Sequence, residues 1–135
     1  MVKKTFQYDV IQRFGTPSIR FKKSLKTDVK ISWVDLSRVL TKINIGTIAS
    51  ADQDLDNGHR KLLQNKKVLA VDWESASIAK ICELNKIKCL ILRGISDIPE
   101  KRGESKEGIQ ERDYRKNTRI IMKNLFSIIG QMTFR

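Results

Sequence analysis

Between Lys67 and Leu92 the chain holds two nearly continuous apolar runs separated by a mixed segment, and this pattern predicts strand, helix and strand in succession. Lys67 to Trp73 (KVLAVDW) reads as a buried strand. Glu74 to Lys86 (ESASIAKICELNK) reads as a helix with Ile78, Ala79, Ile81 and Cys82 towards the core, and Ile87 to Leu92 as a second buried strand. Such a unit is a βαβ crossover, whose parallel strands are covered on both faces, so the expected class is α/β. Upstream, Thr5 to Val10 predicts a short strand and Phe14-Gly15-Thr16-Pro17 a turn. Val34, Val39, Leu40 and Ile43 fit a helix opened by Ser32 as N-cap, followed by a strand over Ile43 to Ser50 and a short helix over His59 to Asn65. Residues 98–113 are charged and contain glycine, which predicts a mobile loop. The loop leads into an amphipathic helix from Tyr114 to Ile129 with Ile121, Leu125 and Ile128 on one stripe.

Composition narrows the class. With 135 residues, 40% apolar and 31% charged, the chain suits one folded domain over 1–135. Lys and Arg number 27 against 15 Asp and Glu, a net charge of +12. The basic residues are scattered from Lys3 to Arg135 instead of gathered on one element beside aromatics, which argues for a solvated basic surface over a nucleic-acid interface. Cys82 and Cys89 lie within apolar runs and suit free thiols in a reducing compartment. With His59 the single histidine and no CxxC pair, no metal site, cofactor or His-based triad is expected. The segment Met1 to Thr5 lacks the apolar core of a signal peptide and no apolar run reaches the length of a membrane span, so the expected location is cytoplasmic.

In α/β sheets ligands bind beyond the carboxyl ends of parallel strands. Three predicted strand ends carry polar groups there: Ser50 and Asp52, then Glu74, then Ser96 and Asp97. A carboxylate near a helix N-terminus stays ionised and can accept hydrogen bonds from a sugar diol, which suits Glu74. A partly desolvated Asp97 would hold its proton to higher pH and could deliver it to a leaving group. Spacing alone favours the plainer reading of Glu74 as a helix-start carboxylate and Asp97 as an acidic turn residue, each paired with Lys or Arg.

The residues Val71-Asp72-Trp73-Glu74-Ser75-Ala76-Ser77-Ile78-Ala79, followed by Leu92-Arg93-Gly94-Ile95-Ser96-Asp97, resemble the purine nucleoside and uridine phosphorylase superfamily. They are most similar to its 5′-methylthioadenosine/S-adenosylhomocysteine nucleosidases. Gly46-Thr47-Ile48-Ala49-Ser50-Ala51-Asp52 resembles a third segment of the family, and Gln7-Tyr8-Asp9 with Phe14-Gly15 a fourth, which in the family runs towards a dimer contact. The resemblance implies a three-layer α/β/α sandwich on a mixed, largely parallel sheet, present as the C-terminal portion of a nucleoside phosphorylase-like domain.

What the resemblance implies for function is hydrolysis of the N-glycosidic bond of a purine nucleoside such as methylthioadenosine or S-adenosylhomocysteine. Asp97 would protonate N7 of the purine with Ser96 positioning it, and Glu74 would hold the ribose hydroxyls. Trp73 stands in place of a Met under the ribose, Asp54 where an aromatic residue covers the purine, and Ala51 where a Gly is common. Ser50 falls in the strand and loop beside them. The family's first strands, its Gly-rich loop and its water-activating acid have no counterpart before Met1. The implied partners are therefore a purine nucleoside and either a second copy or a chain supplying that half. A phosphorolytic relative and an inactive nucleoside-binding remnant are the alternatives.

Overall fold

The computed structural model describes residues 1–10, 25–53, 55, 57–96 and 107–135, and the side chains of these except Asn57 and 107–114. Tertiary contacts group the chain into two compact units, Met1–Ile31 with Asn44–Ile91 and Ser32–Ile43 with Leu92–Arg135.

The first unit holds strands β1 (Val2–Gln7), β2 (Lys26–Asp28), β4 (Gly46–Ser50) and β5 (Val68–Asp72), with helices α1 (Asn57–Asn65) and α2 (Ser75–Leu84). The sheet order is β2-β1-β4-β5. The β1–β4 and β4–β5 pairs are parallel, while β2 runs antiparallel to β1. Adjacent residues of a strand point to opposite faces, and β4 shows the consequence. Ile48 joins a core with Val2, Val29, Ala79 and Ile91, whereas Ala49 joins a separate one with Phe6, Tyr8, Ala51 and Leu63. Ala79 belongs to α2 and Leu63 to α1, so one helix covers each face: a three-layer α/β/α arrangement on a mixed, mostly parallel sheet.

Two register shifts shape this sheet. One lies between Val2 and Lys4 and explains how Val2 and Phe6, four residues apart, reach opposite faces. In the other, Thr47 pairs with Val68 but Ile48 with Ala70, so Leu69 is the extra residue of β5 and stands 58% exposed. A Cβ on Gly46 would lie 2.2 Å from Leu69 Cδ1, so glycine here lets the bulged Leu69 side chain lie against β4.

The second unit contains β3 (Val34–Asp35) paired antiparallel with β6 (Thr133–Phe134), and the long helix α3 (Glu107–Gln131). Trp33 and Phe134 rings lie 5.7 Å apart, and Leu40 N–H donates to Gln131 Oε1 at 3.0 Å. The expected stripe is present: Ile121, Leu125 and Ile128 are all half-buried. A Cβ on Gly94 would lie 2.1 Å from Ile121 Cγ2, so glycine allows residues 94–96 to run close over this helix. Among the described residues no helix is long and apolar enough to cross a membrane.

Four expectations change. The helix expected over Val34 to Ile43 is instead β3 followed by turns, because Val34 and Asp35 pair with the C-terminal strand and Asp35 Oδ1 accepts the Ser37 N–H at 2.9 Å in a local turn. Ile87 to Leu92 forms no strand. The place beside β1 is taken by β2 from Lys4 onwards, leaving only the Val2 N–H to bond Ile91 O, at 3.0 Å. On α2, Ala79 faces the core as expected, but Ile78 and Ile81 are exposed; Ser75 and Ala76 complete the buried face. Of the loop expected over 98–113, residues 107–113 form the start of α3, and the remainder lies outside the described residues.

Candidate functional site

The carboxyl ends of β4 and β5 meet the N-terminus of α2 in one hydrogen-bonded cluster. Ser50 ends β4 and Asp72 ends β5, paired with each other in the parallel register. Ser50 Oγ donates to Asp72 Oδ1 at 2.6 Å and accepts the Ala76 N–H at 2.9 Å. Asp72 Oδ1 also accepts the Ser75 N–H at 3.0 Å, and the Ser75 hydroxyl donates to Asp72 Oδ2. The first N–H groups of a helix have no partner within it. Here two of them are satisfied by side chains from two different strands, so the start of α2 is fixed to the sheet and not merely to the preceding turn. A carboxylate at that position also meets the positive end of the helix dipole.

Trp73 and Glu74 lie between Asp72 and Ser75, in the two-residue connection from strand to helix. Glu74 is the residue before the first helical turn, its carbonyl accepts the Ile78 N–H at 3.0 Å, and its side chain makes no capping hydrogen bond. The cap rests on Asp72 and Ser50, so the Glu74 carboxylate is not consumed by it. Trp73 is 61% exposed and Glu74 is exposed. The strand-to-helix joint therefore presents an aromatic ring and a carboxylate on a backbone pinned from beneath.

Next to this joint the chain leaving β4 is held by a second set of contacts. Ala51 N–H donates to Asp72 O at 3.1 Å, Tyr8 N–H to Ser50 O at 3.2 Å, and Asp52 N–H to the buried Asp9 carboxylate at 3.1 Å. His59, on α1, is buried with its ring 5.0 Å from that of Tyr8, and its Nδ1 lies 3.5 Å from Gln53 Nε2. The β4 exit is thus tied down on the side facing α1.

Of the residues singled out from sequence, Ser50, Trp73 and Glu74 come together here. Ser50 is 2% exposed and both hydrogen-bonding roles of its hydroxyl are filled within the protein, which makes it a support of the site. Ser96 belongs to the second unit, where it is half-buried and its carbonyl accepts Asn117 Nδ2 at 2.9 Å. Asn117 and Ile121 lie one turn apart on α3, so one helix face holds the Gly94 to Ser96 segment. Asp54 and Asp97 lie outside the described residues. Sequence reasoning passed over Asp72, the carboxylate that organises the joint. Its signal was a polar residue ending an otherwise apolar strand three positions before a serine, the spacing of a side chain that caps a helix. Among the described residues no three His, Cys, Asp or Glu side chains group as metal ligands.

Comparison with known proteins fits this architecture. The family model of the phosphorylase superfamily matches residues 6–132. Two curated aminodeoxyfutalosine nucleosidases of Helicobacter pylori are similar to parts of the chain. That of strain J99 is 43% identical over 63 residues, 44% of this chain and 27% of the relative, and that of strain 26695 is 43% identical over 54 residues, 38% and 23% respectively. A crystal structure of 5′-methylthioadenosine/S-adenosylhomocysteine nucleosidase from Helicobacter pylori with butyl-thio-DADMe-Immucillin-A superposes with a TM-score of 0.70 at 25% identity, covering 96% of this chain and 58% of that one. The chain thus spans about a quarter of the curated relatives and just over half of the solved one. A match over nearly the whole chain, on a mixed and mostly parallel sheet, shows that it belongs to the phosphorylase superfamily.

Proposed function

We propose that the chain forms the sugar-binding and proton-donating portion of a purine nucleosidase, acting on a nucleoside such as methylthioadenosine or S-adenosylhomocysteine. The observation that carries this reading is the placement of Trp73 and Glu74 on the short connection between β5 and α2, anchored by buried Ser50 and Asp72, in a chain whose relatives are nucleosidases. Glu74 accepts hydrogen bonds from the ribose hydroxyls, and Trp73 offers the sugar an apolar surface. Asp97, with Ser96 beside it in sequence, protonates the departing purine. Asp54 takes the sequence position at which the family covers the purine. As the glycosidic bond lengthens, positive charge grows on the sugar, and a fixed carboxylate at Glu74 stabilises it by position and charge. Water completes the hydrolysis; phosphate in its place would make the chain a phosphorolytic relative.

The same reading includes association with a second copy of the chain. β5 stands at one edge of the described sheet, and Ile78, Ile81 and Leu84 form an exposed apolar row on α2. Sedimentation equilibrium is expected to give a dimer, and a monomer at all concentrations contradicts this part.

Adenine release from methylthioadenosine by the purified chain, with and without added phosphate, tests the reaction. Asp97→Asn is expected to reduce release by at least about 100-fold while retaining nucleoside binding, the loss typical of a removed general acid. Glu74→Ala is expected to weaken binding itself. Nucleoside binding without release in the unsubstituted chain would identify a binding remnant, and unchanged binding and release in both variants would refute the site.

A further inference from the structure

The topology of the first unit gathers lysines that lie far apart in the sequence. β1, β4 and β5 are parallel, so α1 and α2, which follow β4 and β5, both run back from the carboxyl ends of the strands to their amino ends. Each helix is followed by a lysine in the left-handed region, Lys67 with φ 54° and Lys86 with φ 57°, where glycine would be unstrained. Lys67 precedes β5 and Lys86 follows α2, so both stand at the amino end of the sheet. Lys3 is there on β1. Its carbonyl accepts the Val29 N–H at 2.9 Å, and Lys30 follows Val29 just beyond β2. The bond from Val2 N–H to Ile91 O draws the segment after α2, with Lys88 in it, to the same end. All five lysines are exposed.

The carboxylates are sorted the other way. Asp9, Asp52, Asp72 and Glu74 stand at the carboxyl end, while Asp28 and Glu83, the described acids nearest the amino end, pair with Lys4 at 3.2 Å and Lys80 at 2.6 Å. Helix dipoles account for a lysine after α1 and after α2. They do not account for Lys3, Lys30 or Lys88, nor for the aliphatic residues among them. Ile45, Ile87 and Leu69, whose side chain lies against Gly46, are all exposed.

We propose that the amino end of this sheet is a docking surface for an anionic phospholipid membrane. The lysines meet the charged headgroups as point charges, and Ile45, Leu69 and Ile87 enter the boundary between headgroups and acyl chains. A nucleic acid fits this surface less well. Among the described residues this end holds no arginine fork to read a base edge. The unit's described aromatic residues lie elsewhere, Tyr8 and Trp73 at the carboxyl end and Phe6 in the core, so bases find nothing to stack on. Docking by this end turns Trp73 and Glu74, at the opposite end of the strands, away from the membrane. The surface owes nothing to the nucleosidase reading.

Cosedimentation of the full chain with phosphatidylcholine vesicles, pure or with about one third phosphatidylserine, at about 0.15 M salt tests this. Binding is expected only to the anionic vesicles and should weaken as salt is raised. Each lysine near such a surface is worth roughly fivefold, so Lys3→Gln, Lys67→Asn and Lys86→Asn together should lower partitioning by roughly 100-fold. Asparagine tolerates the left-handed backbone at the last two positions. Lys116→Gln, Arg119→Gln and Lys123→Gln remove the same charge from the exposed face of α3 and should lower partitioning by less than about fivefold. Ile87→Ser keeps every charge and should still weaken binding roughly fivefold. No binding to the anionic vesicles, equal binding to neutral ones, an equal loss from the α3 substitutions, or a tighter association with duplex DNA that Ile87→Ser leaves unchanged would overturn the proposal.

Discussion

The two ends of helix α2 are fixed by opposite means. At the N-terminus the helix donors are met by Ser50 and Asp72, which come from two strands, Ser50 lying 26 residues before the Ala76 N–H it accepts. At the C-terminus everything is local: Asn85, Lys86 and Ile87 bond carbonyls three to five residues back, and no distant side chain takes part in those bonds. The end that presents Trp73 and Glu74 is thus bound to the sheet, while the end that holds Lys86 is closed by the chain's own reversal. A site that must hold a charge in place needs the first arrangement, since a tertiary cap fixes position as well as satisfying hydrogen bonds.

The strongest way to break this contrast is Asp72→Ala. It leaves the Ser50 hydroxyl, the Ser75 hydroxyl and the Ser75 N–H without their acceptor at a largely enclosed joint. A loss of about 3 kcal/mol is expected in urea unfolding, with an unchanged m-value. Ser50→Ala removes a single hydroxyl from the same cluster and should cost about 1–2 kcal/mol in the same assay. At the other end Lys86→Gly should do the reverse. A non-glycine residue in the left-handed region is strained, and relieving it is expected to stabilise by about 0.5–1 kcal/mol after the added freedom of glycine in the unfolded chain. Asp72→Asn sharpens the comparison further: it keeps shape but exchanges one acceptor oxygen for a donor, so its cost should fall between those of Asp72→Ala and Ser50→Ala.

The smallest effect is expected with pH. Burial and contact with Cys82 raise the Cys89 thiol from an ordinary 9.0 to about 11, so the folded chain holds this proton where the unfolded chain releases it. Its contribution to stability is complete below pH 9.0 and declines as pH rises through the window to about 11. Unfolding midpoints measured across that window should fall, and Cys89→Ala should flatten the decline.

The class of the fold and the elements β4, α1, β5 and α2 are legible in the sequence, because each is an apolar run or stripe bounded by polar residues and asks little of distant partners. Trp73 and Glu74 are legible too, as the polar junction after a buried strand. The misread segments share a physical cause. Val34 and Asp35 become a strand only because Thr133 and Phe134 reach them from a hundred residues away. Ile87 to Leu92 has strand composition but finds its neighbour's edge already filled by β2. On α2, Ile78 and Ile81 yield the core to Ser75 and Ala76, since the cap draws the start of the helix so close to the sheet that small side chains fit there.

By itself, then, the sequence determined the alternation of elements, the family and the identity of the polar residues at the strand ends, all of which depend on local pattern. Only the tertiary structure decided which carboxylate caps α2 and which is left exposed. Asp72 and Glu74 are two residues apart and chemically alike, and they part company because strand alternation and the Ser50 hydroxyl bind one beneath α2 while the connection to the helix leaves the other exposed.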